Sequence, residues 1–311
     1  AGAILVLAVL GFVGFESAVV FSEESRDPET TVPRATYLSV TIIAILYTLA
    51  AWAMTVTVGP DQIVTASREQ GTELIFNLAG THLGSFAATL GHTLFVSSLI
   101  AAMISFHGTT SRYMYALGRE AVLPRALGRT SVSTGSPRTA SLVQSTLAAT
   151  VIVVYAVTDS NPLVHLFYWG GTIGGLGVLF LIAATSIAVI AFFARNPGRE
   201  PLWRRLVAPV LAAAALGVVV VLAVRNIATL LGVADDHPLT WIIPTGYLLA
   251  AVAGIGWGLL LRASRPEIYA RIGLGAKAAT ATIGLLPGPT TAAPRHGTVK
   301  PTRDLGVEVD R

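Results

Sequence analysis

The sequence predicts an all-α polytopic membrane protein, and three observations support that prediction. Hydrophobic residues make up 53% of the 311-residue chain and charged residues only 12%, whereas a soluble domain carries about 25% charged residues. The mean hydropathy is +0.68. Several windows of about 20 residues contain no charge, and this is the length that a helix needs to cross a bilayer.

Apolar runs separated by polar segments predict seven membrane spans. We place them at residues 2–21, 35–58, 83–106, 140–157, 163–193, 206–224 and 241–261. Residues 1–262 would then form the transmembrane region, and residues 263–311 would form a cytoplasmic tail. From about residue 287 the tail is polar and rich in Pro, Thr and Gly, so we expect it to be largely disordered there.

Breaker residues set the ends of the first two spans. A polar run, residues 22–34, follows the first span. Within this run Asp27-Pro28 ends helical structure, and Pro33 is well placed at the start of the next helix. The second span ends at Gly59-Pro60. The outer loop that follows, residues 59–82, has helical character over residues 69–79, which favours a short interfacial helix; an ordinary solvated loop is the alternative.

The later spans are bounded in the same way. The third continues into a polar helix at about residues 107–127, which we expect to lie along the inner membrane surface. The fourth ends at the D-S-N-P run of residues 159–162. The fifth is too long for a straight crossing and carries the glycine pairs 170–171 and 174–175 near its start.

The distribution of Lys and Arg predicts the orientation of the chain. Of the 21 basic residues, 19 fall in the loops and tail of one side, and only Arg68 and Arg225 fall on the other. Positive loops are cytoplasmic, so residue 1 would lie outside and the C-terminus inside. The net charge of +4 follows from this topology and does not imply nucleic acid. We expect the protein in the cytoplasmic membrane, in contact with lipids.

Several functional classes are excluded by residues that the chain lacks. There is no cysteine, which excludes disulfides, thiolate metal sites and cysteine nucleophiles. Glu16 is the only acid deep in a predicted span, so an intramembrane aspartyl protease has no second carboxylate. No serine elbow with a partner histidine is present. His92 and His107 are more than four helical turns apart, too far to share a metal ion. We therefore predict no enzyme, no metal and no cofactor.

Glu16 lies in the middle of the first span, close to Gly11 and Gly14. An acid within the membrane is unfavourable by about 2.5–3.5 kcal/mol on insertion scales and usually faces a cavity or a partner. Neighbouring glycines mark a place where a helix can open and offer its backbone to a ligand. The alternative is close helix packing through the glycines, with Glu16 hydrogen-bonded to a neighbouring span.

Part of the third span is polar because it carries Thr89, His92, Ser97 and Ser98. Such side chains in membranes often hydrogen-bond to other helices or to their own carbonyls. The alternative is that they line a substrate or ion path beside Glu16, along which His92 could pass protons.

Two stretches resemble a known family of membrane proteins. Residues 11–34 read G-F-V-G-F-E-S-A-V-V-F-S-E-E-S-R-D-P-E-T-T-V-P-R, and residues 111–124 read S-R-Y-M-Y-A-L-G-R-E-A-V-L-P, with a further proline at position 137. These runs resemble the sixth-helix motif and the eighth-helix motif of the amino acid–polyamine–organocation permeases. The resemblance covers about residues 1–262.

The resemblance implies a fold. These permeases have twelve helices, of which 1–5 and 6–10 form two inverted repeats. This chain would contain helices 6 to 12, which are the second repeat and the two terminal helices. We expect the first five helices, which complete the site, to be missing from the chain.

The resemblance also implies a site at the broken sixth helix. Leu10, Phe12, Val13 and Gly14 fall around its unwound turn, where the carbonyls of Leu10 and Val13 would face a substrate amino group. Leu10 stands where some members carry a gating aromatic residue, a role that Phe12 could take. Glu16 matches an acid that some members link to proton coupling.

The function that follows is a proton-coupled, secondary active permease for amino acids or related amines, working by alternating access as a symporter or antiporter. Its partners would be a small-molecule substrate and protons. A seven-span receptor or a non-transporting membrane scaffold is the alternative, which the number of spans and their orientation would also fit.

Overall fold

The computed structural model describes residues 2–131, 133–196, 198 and 200–275. Its regular elements in these ranges are all helices. Six of them are long and apolar enough to cross a membrane: Pro28–Val58, Ser85–Arg119, Arg138–Val157, Pro162–Arg195, Trp203–Arg225 and Leu239–Ser264. The prediction of an all-α polytopic membrane protein is confirmed.

The first predicted span, residues 2–21, is broken in the middle. Helix α1, Gly2–Leu10, ends in a series of turns, and helix α2, Ser17–Val20, follows. A 3₁₀ turn, Ser22–Glu24, leads into the polar loop. This segment therefore consists of two short helices joined by turns.

Helix α3, Pro28–Val58, begins earlier than the predicted span 35–58. Pro28 occupies the first helical turn, where its missing N–H would have had no partner in any case. Pro33, expected at the helix start, lies inside the helix instead. The described residues of α3 include none that is buried, and Tyr37 and Trp52 are 76% and 63% exposed.

The outer loop contains two helices, α4 at Ile63–Gln70 and α5 at Leu74–Leu83. Helix α6, Ser85–Arg119, then runs without interruption. Its 35 residues extend about 52 Å, against a hydrocarbon core of about 30 Å. The polar segment expected at about 107–127 therefore continues α6 in line as far as Arg119, rather than forming a separate surface helix.

Helix α7, Arg138–Val157, is followed by a π-helical turn, Pro162–Trp169. The side chain of Asn161 starts this turn by accepting hydrogen bonds from the N–H groups of Leu163 and Val164 at 2.9 and 3.2 Å. Helix α8, Gly170–Arg195, continues directly from it.

The remaining helices are α9 at Ala208–Arg225, α10 at Ile227–Leu231, α11 at Leu239–Ser264 and α12 at Pro266–Tyr269. A second π-helical turn, Trp203–Val207, precedes α9. Of the predicted tail, 263–275 is described. Residues 276–311, where we predict disorder from about 287, lie outside the described residues.

The best-buried core surrounds α1. Val6 is fully buried and packs with residues of α8, α9, α10 and α11. The indole N–H of Trp169 donates to the Leu231 carbonyl at 2.9 Å and joins the start of α8 to α10. This packing fixes the first half of the broken helix against α8, which is the contact that shapes the site.

Candidate functional site at the broken helix

The break in the first helix lies between Leu10 and Ser17. Val13 N–H donates to the Leu10 carbonyl at 3.1 Å, and Phe12 N–H donates to the Val9 carbonyl at the same distance, so the chain turns more tightly than an α-helix. Gly14 then adopts φ of +116°, a conformation that side-chain-bearing residues rarely accept. The helix cannot continue through such a residue.

Glu16 is part of the break itself. In a continuous helix the Gly14 N–H would donate to the Leu10 carbonyl, but here it donates to Glu16 Oε2 at 2.8 Å. The bond is charge-assisted when the carboxylate is ionised, and it satisfies a backbone donor that the break leaves without a helical partner. The half-buried Glu16 side chain thus stabilises the turn beside it.

Tyr47 of α3 holds the other side of the break. Its hydroxyl donates to the Gly11 carbonyl at 3.1 Å, and its ring meets Phe12 edge to face with centroids 6.0 Å apart. A Cβ on Gly11 would lie 3.2 Å from the Tyr47 ring. Sequence reasoning missed Tyr47; the available signal was a polar-tipped aromatic residue in the middle of an apolar span.

A cavity of about 440 Å³ lies beside the break, within the usual range for small-molecule sites. The broken helix contributes Leu10 and Val13, and α6 contributes Phe106. The start of α8 forms the rest of the lining, which consists of Gly170, Gly171, Gly174, Gly175 and Val178. The structure therefore brings together a broken helix and the glycine pairs that the sequence had singled out.

The other residues predicted at the turn lie next to this cavity rather than in its wall. Phe12 packs against Tyr47. Gly14 lies close to Phe106, whose ring would be 4.0 Å from a Cβ on Gly14. Glu16 faces the Gly14 amide.

The four polar residues of the third predicted span lie apart from the cavity lining, exposed on α6. Each bonds to a carbonyl of its own helix: Thr89 to Ser85 at 3.0 Å, His92 to Ala88 at 3.2 Å, Ser97 to Leu94 at 2.9 Å and Ser98 to Phe95 at 2.7 Å. This is the local bonding that such side chains commonly make in membranes. A path-lining role for them stays a prediction.

His92 has a second partner that the sequence did not suggest. Its Nε2 lies 3.0 Å from Glu73 Oε2, and its ring stacks on Phe76 with centroids 4.1 Å apart. These contacts join α6 to the helical outer loop.

The two motifs that carry the family resemblance, residues 11–34 and 111–124, contact each other through ion pairs. Glu23 and Arg119 form a two-pronged ion pair with N···O distances of 2.7 and 3.0 Å. Nε and Nη2 of Arg112 both donate to Glu24 Oε1, at 2.9 and 2.8 Å, and the Arg112 guanidinium lies 4.1 Å from the centre of the Phe21 ring. The loop after the broken helix is thereby tied to the end of α6.

The end of α6 also binds the segment after α12. Glu120 is buried, with 6% of its surface exposed, and its Oε1 accepts hydrogen bonds from the N–H groups of Gly273 and Gly275 at 3.1 and 3.0 Å. Trp257 of α11 donates its indole N–H to the Val122 carbonyl at 3.1 Å. Within the described ranges, no group of three or more His, Asp or Glu could hold a metal ion.

An interrupted helix beside a cavity, together with six helices long and apolar enough to cross a membrane, is typical of multi-pass membrane proteins that bind ligands through the backbone of a broken helix. Residues 1–249 match the amino acid permease family. The chain belongs to that family, which confirms the resemblance to the amino acid–polyamine–organocation permeases.

The relatives of the chain include plant and bacterial proteins. It is 29% identical over 188 residues to the cationic amino acid transporter 7, chloroplastic, of Arabidopsis thaliana, covering 58% of this chain and 29% of that protein. It is 24% identical over 191 residues to the branched-chain amino acid permease BcaP of Bacillus subtilis, covering 61% and 38%. With the D-serine/D-alanine/glycine transporter of Escherichia coli it shares 25% over 173 residues, covering 52% and 36%.

The chain thus spans well under half the length of these relatives. All three relatives are named as transporters or permeases. These names confirm the prediction that the protein is not an enzyme, and they do not favour the alternative of a receptor or scaffold. No solved structure gives a significant match.

Proposed function

We propose that the chain forms helices 6 to 12 of a proton-coupled, secondary active transporter for amino acids or related amines. The observation that carries the proposal is the break at residues 11–16, which opens backbone next to a cavity of about 440 Å³. Membership of the amino acid permease family supports the substrate class.

Binding would use backbone groups at the break. The Leu10 carbonyl already accepts from Val13 N–H but has a second lone pair. With the Val13 carbonyl, it could receive the hydrogen bonds of a substrate ammonium group. Alternating access would follow from rocking of one helix bundle against the other around this site.

Proton coupling would act through Glu16. The Glu16 carboxyl group accepts a hydrogen bond from the Gly14 N–H at 2.8 Å, and a proton on this group would remove the charge assistance that strengthens such a bond. Proton binding would therefore loosen the turn whose carbonyls bind the substrate, and proton release would tighten it. This links the protonation state to the shape of the site.

The orientation proposed from the basic residues is residue 1 outside and the C-terminus inside, in the cytoplasmic membrane. The ion pairs of Arg112 and Arg119 would then lie on the cytoplasmic side. We propose that five further helices complete the substrate site and that lipid surrounds the bundle, as the exposed apolar surface of α3 suggests.

The test is uptake by the full-length permease in proteoliposomes, with a panel of labelled amino acids and amines. The proposal predicts saturable uptake of at least one amino acid, and a rate that changes when a pH gradient is imposed. An uptake rate that does not change with the pH gradient would contradict proton coupling but would still agree with transport. Absence of uptake across the whole panel would contradict transport.

A further inference from the structure

We infer that the substrate's side chain is uncharged and aliphatic, of about the size of a branched-chain amino acid. This inference rests on the proposed function and concerns the cavity beside the break. Among the relatives are proteins named for cationic, branched-chain and small amino acids, so family membership does not decide between these substrates.

The lining of the cavity carries the argument. Its side chains are those of Leu10, Val13, Phe106 and Val178, and its other lining residues are glycines. None of these side chains has a charge or a hydrogen-bonding group. With the Leu10 and Val13 carbonyls assigned to the substrate's own ammonium group, the wall that this chain supplies offers a lysine or arginine side chain no side-chain partner in exchange for its water, which is unfavourable. An aliphatic side chain would gain from the same burial.

Glu16 does not supply the missing partner. It is not among the lining residues, and its carboxylate is directed to the Gly14 N–H. An acid that turned toward a cationic substrate would have to give up this bond. Glu16 therefore stabilises the turn and does not line the pocket for the substrate's side chain.

The start of α8 gives the cavity its size. A Cβ at Gly170, Gly171 or Gly174 would meet no atom within 4 Å, so these three positions leave space open. At Gly175, in contrast, a Cβ would lie 3.0 Å from Leu10 Cδ2, because α8 touches the broken helix there. The open positions leave room for a branched side chain, and filling one of them should exclude it.

The test compares leucine, alanine and lysine uptake by the full-length permease in proteoliposomes. The wild type should prefer leucine to lysine by at least about tenfold. In Gly174→Val, leucine uptake should fall at least about tenfold relative to alanine, because a single methylene group changes discrimination in a hydrophobic pocket by about 10–200-fold. Gly254→Val is the matched control, because a Cβ at Gly254 in α11 also meets no atom within 4 Å, and its leucine-to-alanine ratio should equal that of the wild type.

The outcomes separate this inference from the proposed function. Lysine uptake equal to or above leucine uptake would overturn the inference and leave transport intact. An unchanged leucine-to-alanine ratio in Gly174→Val would overturn the assignment of this cavity to the side chain. No uptake of any amino acid would overturn the proposed function and the inference with it.

If Gly174→Val does not give monodisperse protein in detergent, Leu10→Ala replaces it. The larger pocket of Leu10→Ala should raise phenylalanine uptake relative to leucine uptake.

Discussion

The hydroxyl of Tyr47 donates a hydrogen bond to the carbonyl of Gly11 across 3.1 Å. This bond joins α3 to the first residue of the break in the neighbouring helix. Together with the Gly14–Glu16 contact, it fixes both ends of the turn next to the cavity. The position of the turn is thus set by α3 on one side and by its own carboxylate on the other.

Tyr47→Phe removes the donor to Gly11 and keeps the ring contact with Phe12. One hydrogen bond contributes about 1 kcal/mol to holding the turn in its binding shape, so the fraction of protein with that shape, and with it the apparent affinity for substrate, should fall by up to about fivefold, with the amount of folded protein unchanged. Uptake kinetics measure the effect. Tyr37→Phe on the same helix is the control, because Tyr37 is 76% exposed; an equal loss in both variants would argue against the role of Tyr47.

Gly14→Ala should weaken the break. At φ of +116°, a residue with a Cβ is strained by about 1–2 kcal/mol, so the melting temperature and the uptake rate should both fall. Gly246→Ala is the control and should raise the melting temperature instead. Gly246 lies within α11, a Cβ there would meet no atom within 4 Å, and alanine is a better helix former than glycine. A Gly14→Ala protein as stable and active as the wild type would contradict a functional break.

The Glu23–Arg119 ion pair should stabilise the contact between the loop after the broken helix and the end of α6. The Arg119 side chain is only 14% exposed and that of Glu23 is 49% exposed, so Arg119→Glu should destabilise the protein by about 2 kcal/mol. The double variant, with Glu23→Arg added, should recover part of the loss. Thermal unfolding of the wild type, Arg119→Glu, Glu23→Arg and the double variant provides the coupling energy.

The control for this cycle is the exposed pair Glu200–Arg204, with an N···O distance of 3.6 Å, where the same exchange should change stability little. A coupling energy for Glu23–Arg119 no larger than that of the control pair would show that the two motifs are not joined in the folded protein.

Glu120→Ala should release the segment after α12. The carboxylate is buried and accepts two N–H groups, from Gly273 and Gly275, so its loss leaves both donors without their partner. Trypsin should then cut after Arg271 faster than in the wild type. The exposed Glu267 provides the control, and equal cleavage rates in Glu120→Ala, Glu267→Ala and the wild type would argue against a docked segment.

The sequence predicted the class of fold and the location of the break, because both depend on local signals. Long uncharged runs identify membrane helices, and Gly11, Gly14 and Glu16 within such a run indicate an opened helix. The start of α3 could not be read as easily, since Pro28 and Pro33 are both suitable for a first helical turn. The structure starts α3 at Pro28 and includes Pro33 within it.

Contacts between residues far apart in the sequence could not be predicted from local sequence patterns. Nothing in the local sequence connects Tyr47 with Gly11, or Glu120 with Gly273, because these contacts depend on how the helices pack. The same limit applies to His92, whose partner Glu73 lies in the outer loop. The motifs at residues 22–34 and 111–124 were recognised separately, but their ion pairs became visible only in three dimensions.

The most direct test of the central claim is amino acid uptake in proteoliposomes by wild type and Glu16→Gln, with and without an imposed pH gradient. Glutamine can still accept the Gly14 hydrogen bond but cannot titrate, and Glu29→Gln at the exposed start of α3 is the control. We predict uptake by Glu16→Gln that no longer responds to the gradient, while wild type and Glu29→Gln respond alike. A full gradient response in Glu16→Gln would contradict the proposal that this carboxylate couples protons to the broken helix.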